Sequence, residues 1–311
     1  MRVVIVGQGA IGLLCYANAL QNENDNQLAV ELKPSSAKFQ QYHALQFTSL
    51  EHNSTKLPLR YATDVSLNTA DIVVICVKSY QLTEALESLI DKIGQETTII
   101  CCHNGIVSKQ SLSEIAGKNR CIALMLTTHG SKKVASNQVL HTGEGKTDIG
   151  LLAGEASSEQ VDSLTHVANQ LLPNATWQEN IELLQWQKLA VNAVINPITA
   201  NYDIDNGAVL EEQFTELKQQ LLEEFVQVAA LQKISFDFET LLNTVNEVAS
   251  KTAANCSSMR ADILNQRNTE IDTINGFIVE QGRQGNIDTP ANLSLWRAIK
   301  QKEASGKHTA S

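Results

Sequence analysis

A glycine-rich turn directly follows the first apolar run of the chain. The run Arg2–Val6 is typical of a short β-strand, and the next six residues are Gly7-Gln8-Gly9-Ala10-Ile11-Gly12. The three glycines allow a tight turn, close approach of a ligand to the backbone, and close packing of the next helix on the strand. The free N–H groups of that helix would then face an anionic group. This pattern predicts a βα unit that binds the pyrophosphate of a dinucleotide.

Short β-rich runs alternate with helical patterns up to about residue 178. Strands are predicted at Arg2–Val6, Leu28–Leu32, Ile72–Val77, Thr97–Cys102 and Arg120–Leu126. Helices are predicted at Ile11–Leu20, Tyr80–Ile93, Ser108–Ala116 and from Val161 to Leu172, ahead of Pro173. Strands that alternate with helices are typical of an α/β fold with a mostly parallel sheet. We therefore expect an N-terminal Rossmann-type, doubly wound sheet.

The second half of the chain has a different pattern. From Ile181 onward no run is typical of a strand, and apolar residues recur at the spacing of a helix. A length of 311 residues is also about twice that of one common domain. We therefore predict a Rossmann-type NADP-binding domain over residues 1–177, an all-helical substrate and catalytic domain over 178–305, and a tail over 306–311.

Composition excludes several classes of partner. A formal net charge of −10 disfavours a nucleic-acid surface, and the longest apolar run, Ile72–Val77, is too short to cross a bilayer. Val3–Val6 is too short for the apolar region of a signal peptide. The six cysteines lack C-x-x-C spacing, and the seven histidines show no metal-ligand spacing. We expect a cytoplasmic protein with a small-molecule partner and with no disulfide, metal, nucleic acid or membrane.

Two charges near the end of the second predicted strand bear on the choice between NAD and NADP. Glu31 lies nineteen residues beyond Gly12, where a carboxylate commonly accepts hydrogen bonds from the ribose. Lys33 lies two residues further, and its ammonium would attract a 2′-phosphate. Because side chains alternate along a strand, both can point to the same face. The residues alone leave open which of the two reaches the ribose.

Two more polar positions follow predicted strands. Lys78 comes directly after Ile72–Val77, and Asn104 with Gly105 comes after Thr97–Cys102. In an open parallel sheet, ligands bind outside the carboxyl ends of the strands. Lys78 and Asn104 are therefore predicted to meet the cofactor, the alternative being ordinary polar loop residues.

A polar stripe interrupts an otherwise apolar helical pattern in the second half. Lys188, Asn192 and Asn196 are spaced i, i+4, i+8, which places them on one side of a helix. An unpaired buried amide costs about 1–3 kcal/mol, so the stripe needs a polar partner. Pro197 removes a backbone hydrogen bond at its end. The stripe is predicted to face a cleft or a ligand, although Lys188 alone could be a solvated surface residue.

Several longer motifs resemble those of the ketopantoate reductase (2-dehydropantoate 2-reductase) family. The most specific are Lys188–Pro197, Asn255–Met259, Thr269–Asp272 and Ile274–Phe277, with His103-Asn104-Gly105 and Thr128-His129-Gly130 in the first half. The resemblance runs from the glycine turn to about Glu303. It implies NADPH-dependent reduction of 2-dehydropantoate to pantoate, for pantothenate and coenzyme A biosynthesis.

The resemblance also implies roles for particular residues. Lys188 would be the proton donor, supported by Glu270. Substrate contacts would come from Asn104, Lys188, Asn192, Asn196, Asn206, Asn255 and Ser258. Cofactor contacts would come from the turn Gly7–Gly12 and from Lys33, Lys78, Asn104 and Ser131. Lys33 stands where the family commonly has an arginine, so it supplies a charge without the bidentate fork.

Two other functions are compatible with the same residues. One is reduction of a different 2-oxo acid on the same scaffold, because pocket shape decides the substrate. The other is an NADP-binding sensor without turnover, since a glycine turn does not require catalysis. The polar stripe argues against the sensor, because dinucleotide binding needs no buried proton donor. The chain is expected to be a monomer or a homodimer.

Overall fold

The computed structural model describes residues 1–22, 28–117 and 119–308. Contacts within the chain define two compact units. The first comprises Met1–His103 and Val107–Ile181, and the second comprises Asn104–Ile106 and the chain from Glu182 onward. The first unit extends beyond the predicted boundary at 177, because the Gln178 N–H still donates to the Ile149 carbonyl at 2.8 Å.

Eleven strands are described in the first unit. In chain order they are β1 (Arg2–Val6), β2 (Ala29–Lys33), β3 (Ala44–Thr48), β4 (Ser54–Pro58), β5 (Ile72–Ile75), β6 (Thr98–Cys101), β7 (Ile122–Thr127), β8 (Gly130–Ala135), β9 (Gln138–Gly143), β10 (Thr147–Ala153) and β11 (Ala175–Trp177). The helices of this unit are α1 (Ala10–Gln21), α2 (Asp64–Asn68), α3 (Leu82–Ile90), α4 (Lys109–Ala116) and α5 (Ser158–Leu171), with 3₁₀ helices at Ala37–Gln41 and Ser79–Gln81.

Seven strands form the main sheet in the order β11-β10-β7-β6-β5-β1-β2. The pairs from β2 to β7 are parallel, β10 is antiparallel to β7, and β11 is parallel to β10. Strands β5 and β6 are buried at every residue, as expected for a sheet covered on both faces. The predicted α/β, Rossmann-type fold is confirmed.

The first unit contains a second sheet that the sequence patterns did not predict. It has four strands in the order β4-β3-β9-β8, with β3 parallel to β9 and the other two pairs antiparallel. Four of the five residues of β4 are exposed, and β8 has no fully buried residue. These strands lack the apolar runs by which the main sheet was recognised. Both sheets share one apolar core with α1 and α5.

The second unit is helical, as predicted. Over the described residues 182–308 it contains no strand. Its helices are α6 (Ile181–Tyr202), α7 (Thr215–Leu231), α8 (Phe238–Lys251), α9 (Ser258–Leu264), α10 (Asn275–Gln284) and α11 (Pro290–His308), with 3₁₀ helices at Asn206–Leu210, Glu212–Phe214 and Ile271–Thr273. A separate apolar core joins them. Of the predicted tail, residues 306–308 are helical, because α11 continues through them, and 309–311 lie outside the described residues.

In the described part of the chain, each helix is too short or too polar to span a membrane. The six cysteines are free thiols, and only Cys256 is exposed.

Two histidines are hydrogen-bonded to each other in the first unit. The buried His129 lies with Nε2 at 2.9 Å from the Pro173 carbonyl oxygen and Nδ1 at 3.1 Å from Nε2 of His141. The Pro173 carbonyl requires a proton on Nε2 of His129, so His129 Nδ1 accepts and His141 Nε2 donates. Burial and, secondly, the His129 ring lower the pKa of His141.

We expect this lowered pKa to make the protein less stable as the pH falls below about 6.5, the ordinary histidine pKa. In that range the unfolded chain binds a proton that the folded His141 does not, so stability increases with pH. His141→Gln keeps a hydrogen-bond donor but removes the titratable group. The free energy of unfolding should therefore change less with pH in this variant. Urea midpoints at pH 7.5 and 5.5 measure it, with the exposed His166→Gln as control. An unchanged slope in His141→Gln would contradict this assignment.

Candidate active site

The glycine turn has the geometry that the sequence predicts. Strand β1 ends at Val6, and Gly9 is the N-cap of α1. Gly7 has φ of +108°, and an added Cβ there would lie 2.3 Å from the Cys76 carbonyl oxygen. A Cβ on Gly9 would meet only the Cys76 carbonyl oxygen, at an ordinary contact distance of 3.9 Å. A Cβ on Gly12 would lie 2.3 Å from the Gly7 carbonyl oxygen. The first and third glycines are thus required by the fold, whereas the second leaves room for a ligand against the backbone.

Two predicted cofactor residues lie at the strand ends beside this turn. Lys33 is the last residue of β2, pairs in register with Val6 of β1, and its carbonyl accepts the Gly7 N–H at 3.0 Å. Ile75, the last residue of β5, also pairs with Val6. Lys78 follows three residues later and caps the 3₁₀ helix Ser79–Gln81. The structure therefore brings Lys33 and Lys78 to the same edge of the main sheet as the turn.

Glu31 lies further back in β2, in register with Val4. Its Oε2 atom is buried and has no hydrogen-bond partner among the residues that the structure describes. The strand therefore ends on Lys33, and Glu31 lies two residues before it in the same strand.

Ser131 contacts the turn from the second sheet. It lies in β8, and its hydroxyl donates to the Ala10 carbonyl at 3.0 Å. Lys133, two residues further along β8, donates from Nζ to the Gln8 carbonyl at 2.8 Å. Sequence reasoning missed Lys133, because strand β8 itself was not predicted.

Asn104 belongs to the second unit rather than to the predicted first domain. Its Nδ2 donates to Oε2 of Glu270 at 3.1 Å. The next residue, Gly105, has φ of +73°, and its carbonyl accepts Nε2 of Gln185 at 3.1 Å. The Ile106 N–H donates to the Thr273 carbonyl at 3.1 Å. These bonds bring together two residues, Asn104 and Glu270, that the sequence predicted separately.

The predicted polar stripe lies on α6, the longest helix. Asn196 is buried, while Lys188 and Asn192 are half-buried. In an α-helix the Ala193 carbonyl would accept the N–H of residue 197, but Pro197 has none. The fully buried Asn275 replaces it, with Nδ2 donating to the Ala193 carbonyl at 2.9 Å. Asn275 lies in the quoted motif Ile274–Phe277, but no role was predicted for it.

A series of buried hydrogen bonds holds the Asn275 side chain in position. Its Nδ2 also donates to Oδ1 of Asn292 at 2.9 Å. Asn292 in turn donates from Nδ2 to the carboxylate of Glu224 at 2.7 Å. That carboxylate also accepts the backbone N–H groups of Ala291 and Asn292 at the start of α11. Helices α6, α7, α10 and α11 are thereby linked through the interior of the second unit.

Three further predicted substrate residues lie near the C-terminal end of α6. Thr199 is hydrogen-bonded at 2.7 Å to the hydroxyl of Ser257, the residue before Ser258. The Asn206 N–H donates to the Asn255 carbonyl at 3.0 Å. Asn206 is 8% exposed, and its Oδ1 is buried without a hydrogen-bond partner in the described part of the chain. A buried acceptor of this kind pairs with a donor from a bound water or a ligand.

Glu270 is held in place from α11. It is 4% exposed and is the N-cap residue of the 3₁₀ helix Ile271–Thr273. Both the N–H and the hydroxyl of the preceding Thr269 donate to Oε1 of Glu303 at 2.7 Å. Glu303 was missed as a supporting residue, because it lies 34 positions away in the chain.

Comparison with known proteins agrees with this architecture. Residues 3–154 match the family described as "Ketopantoate reductase PanE/ApbA", and residues 180–303 match "Ketopantoate reductase PanE/ApbA C terminal". The chain is 35% identical to the 2-dehydropantoate 2-reductase of Vibrio cholerae serotype O1, over 98% of this chain and 99% of the relative.

The class of protein is an oxidoreductase that combines a Rossmann-type unit with a helical unit. The family matches cover both units and identify the family within this class. The chain belongs to the ketopantoate reductase family.

Solved structures show the same fold. D-mandelate dehydrogenase with NADH and anilino(oxo)acetate has a TM-score of 0.87 at 23% identity, covering 99% of this chain and 100% of its own. A dimeric ketopantoate reductase from Staphylococcus aureus has a TM-score of 0.81 at 22% identity, covering 98% and 100%.

The bond from Asn275 to Ala193 yields a stability prediction. Asn275→Ala should lower the free energy of unfolding by about 1–3 kcal/mol, because the buried Ala193 carbonyl loses its donor. In a Pro197→Ala background the cost should be smaller, since residue 197 then supplies an N–H to Ala193. Urea unfolding of the four proteins in this double-mutant cycle gives the coupling energy. An equal cost in both backgrounds would show that the loss arises elsewhere.

Proposed function

We propose that the protein reduces 2-dehydropantoate to pantoate with NADPH as the hydride donor, as a step of pantothenate and coenzyme A biosynthesis. The observation that supports it most is the single helix α6, on which Lys188, Asn192 and Asn196 lie in one stripe. The Asn104–Glu270 pair and the Asn206–Asn255 contact belong to the same unit. The family relationship is the second support.

The first unit would hold the cofactor. The absence of a side chain at Gly9 and the N-terminus of α1 suit a pyrophosphate. Lys33 would contact the adenosine ribose phosphate, and Lys78 would contribute a second cation at the same sheet edge. When bound, the reduced nicotinamide supplies a hydride to a ketone carbon.

Lys188 would act on the ketone oxygen. Negative charge develops on that oxygen as the carbon accepts the hydride, and an ammonium both stabilises the charge and donates the proton. Asparagine side chains orient the substrate with neutral donors and acceptors, so they do not cancel the charge of Lys188. Glu270, whose Oε2 accepts from Asn104, would hold that amide in position.

Asn206 would recognise the substrate hydroxyl. Its Nδ2 already donates to Thr252 at 3.0 Å, which fixes the orientation of the amide. The orphaned Oδ1 is then an acceptor for a hydroxyl hydrogen. A 2-oxo acid that carries a hydroxyl, as 2-dehydropantoate does, would supply such a donor.

The proposal includes a cytoplasmic location. Free thiols in a chain with six cysteines are typical of a reducing compartment.

Lys188→Ala tests the proposed mechanism. We expect turnover of 2-dehydropantoate to fall by about two to four orders of magnitude, the usual contribution of a positioned acid. NADPH binding, followed by its fluorescence, should stay near that of the unmodified protein. The exposed Lys251→Ala in α8 is the matched control. A single-turnover rate of Lys188→Ala equal to that of the unmodified protein would show that Lys188 is not the proton donor.

A further inference from the structure

Lys133 is a lysine that the proposed mechanism leaves unused, and it lies against the glycine turn. Its Nζ donates to the Gln8 carbonyl at 2.8 Å, and its side chain is half-buried. Its neighbour in β8, Lys132, is exposed. Side chains alternate along a strand, so Ser131 and Lys133 share the face that contacts the turn. The contact of Ser131 with Ala10 confirms that orientation.

An aromatic ring fixes the position of this ammonium. Nζ of Lys133 lies 5.5 Å from the centroid of the buried Phe39 ring. A cation over an aromatic face is attracted by the negative charge density of the ring face. Together with the Gln8 bond, this contact holds the charge beside the turn rather than in bulk solvent.

Gln8 connects Lys133 to the end of β2. Its side-chain Oε1 accepts both the N–H of Ser35 at 2.7 Å and the Ser35 hydroxyl at 3.0 Å. Ser35 follows Lys33 by two residues, and the Lys33 carbonyl accepts the Gly7 N–H. Lys33 and Lys133 therefore approach the same turn, one from each sheet.

The electrostatics of this arrangement favour an anion. The Lys133 ammonium lies beside the turn that begins α1, whose N-terminus already carries a partial positive charge, and Lys33 ends the neighbouring strand β2. The nearest acidic side chain on β2 is Glu31, about 6–7 Å behind Lys33 along the strand. Where NAD is the usual cofactor, a carboxylate commonly ends this strand. Here the strand ends on Lys33, and a second lysine, Lys133, contacts the adjacent glycine turn.

We infer that Lys133 is a second residue that determines the preference for a 2′-phosphate on the adenosine ribose. This inference rests on the proposed use of an NADP-type cofactor. A lysine gives a point charge without the bidentate fork of arginine, so Lys33 alone recognises a phosphate less completely. Lys133 supplies the additional positive charge, from a position fixed by Gln8 and Phe39.

Nucleotide binding without turnover tests the inference. Dissociation constants of the full chain for adenosine 2′,5′-bisphosphate and for 5′-AMP are measured by calorimetry. Lys133→Met should raise the dissociation constant for the bisphosphate by about 10- to 100-fold, which is the usual loss of a charge-assisted bond. The dissociation constant for 5′-AMP should stay nearly unchanged. Lys132→Met is the matched control, Lys33→Met is the reference, and Lys133→Arg should retain the preference.

The outcomes separate the two proposals. A preference lost in Lys133→Met and retained in Lys133→Arg and Lys132→Met supports the inference. If Lys133→Met weakens the binding of both nucleotides equally, Lys133 only shapes the turn, and the inference is overturned. A preference that disappears in Lys33→Met but persists in Lys133→Met would also overturn it, while leaving the NADP proposal intact. If the unmodified protein binds both nucleotides equally, the NADP proposal itself fails.

Discussion

The hydrogen bond from Asn275 to the Ala193 carbonyl is the interaction on which the second unit depends. Pro197 interrupts the backbone ladder of α6 within the polar stripe, and a carbonyl left unpaired there would be buried. Asn275 supplies the missing donor and is itself held by Asn292 and Glu224. The same helix can therefore be apolar along most of its length and still present three polar side chains on one side.

The first unit follows from a different constraint, the lack of space around the glycine turn. At Gly7 and Gly12 a Cβ would lie 2.3 Å from a backbone oxygen, so the fold requires glycine. At Gly9 a Cβ would make only an ordinary contact, with the Cys76 carbonyl oxygen at 3.9 Å, so packing within the chain does not require glycine there. The glycine turn and the polar stripe thus depend on different structural constraints, one in each unit.

Sequence reasoning predicted the features that local patterns encode. The buried strands β1, β5 and β6, the glycine turn and the stripe on α6 follow from apolar runs and periodicity. The four-stranded sheet did not, because β4 and β8 are polar and exposed. Contacts such as Lys133 with Gln8, 125 positions apart, and Asn104 with Glu270, 166 positions apart, arise from tertiary folding. The family resemblance named Glu270 and Asn104, but no pattern in the chain indicated that they touch.

Substrate preference tests most directly whether the polar residues of the second unit recognise a hydroxylated 2-oxo acid. The measurement is kcat/KM with NADPH for 2-dehydropantoate, pyruvate and benzoylformate. The orphaned Asn206 oxygen predicts a preference for 2-dehydropantoate of about 5- to 150-fold, since a buried acceptor left unpaired costs about 1–3 kcal/mol. A higher value for benzoylformate would indicate a reductase of another 2-oxo acid. Nucleotide binding without turnover of any of the three acids would contradict the enzyme mechanism proposed for Lys188.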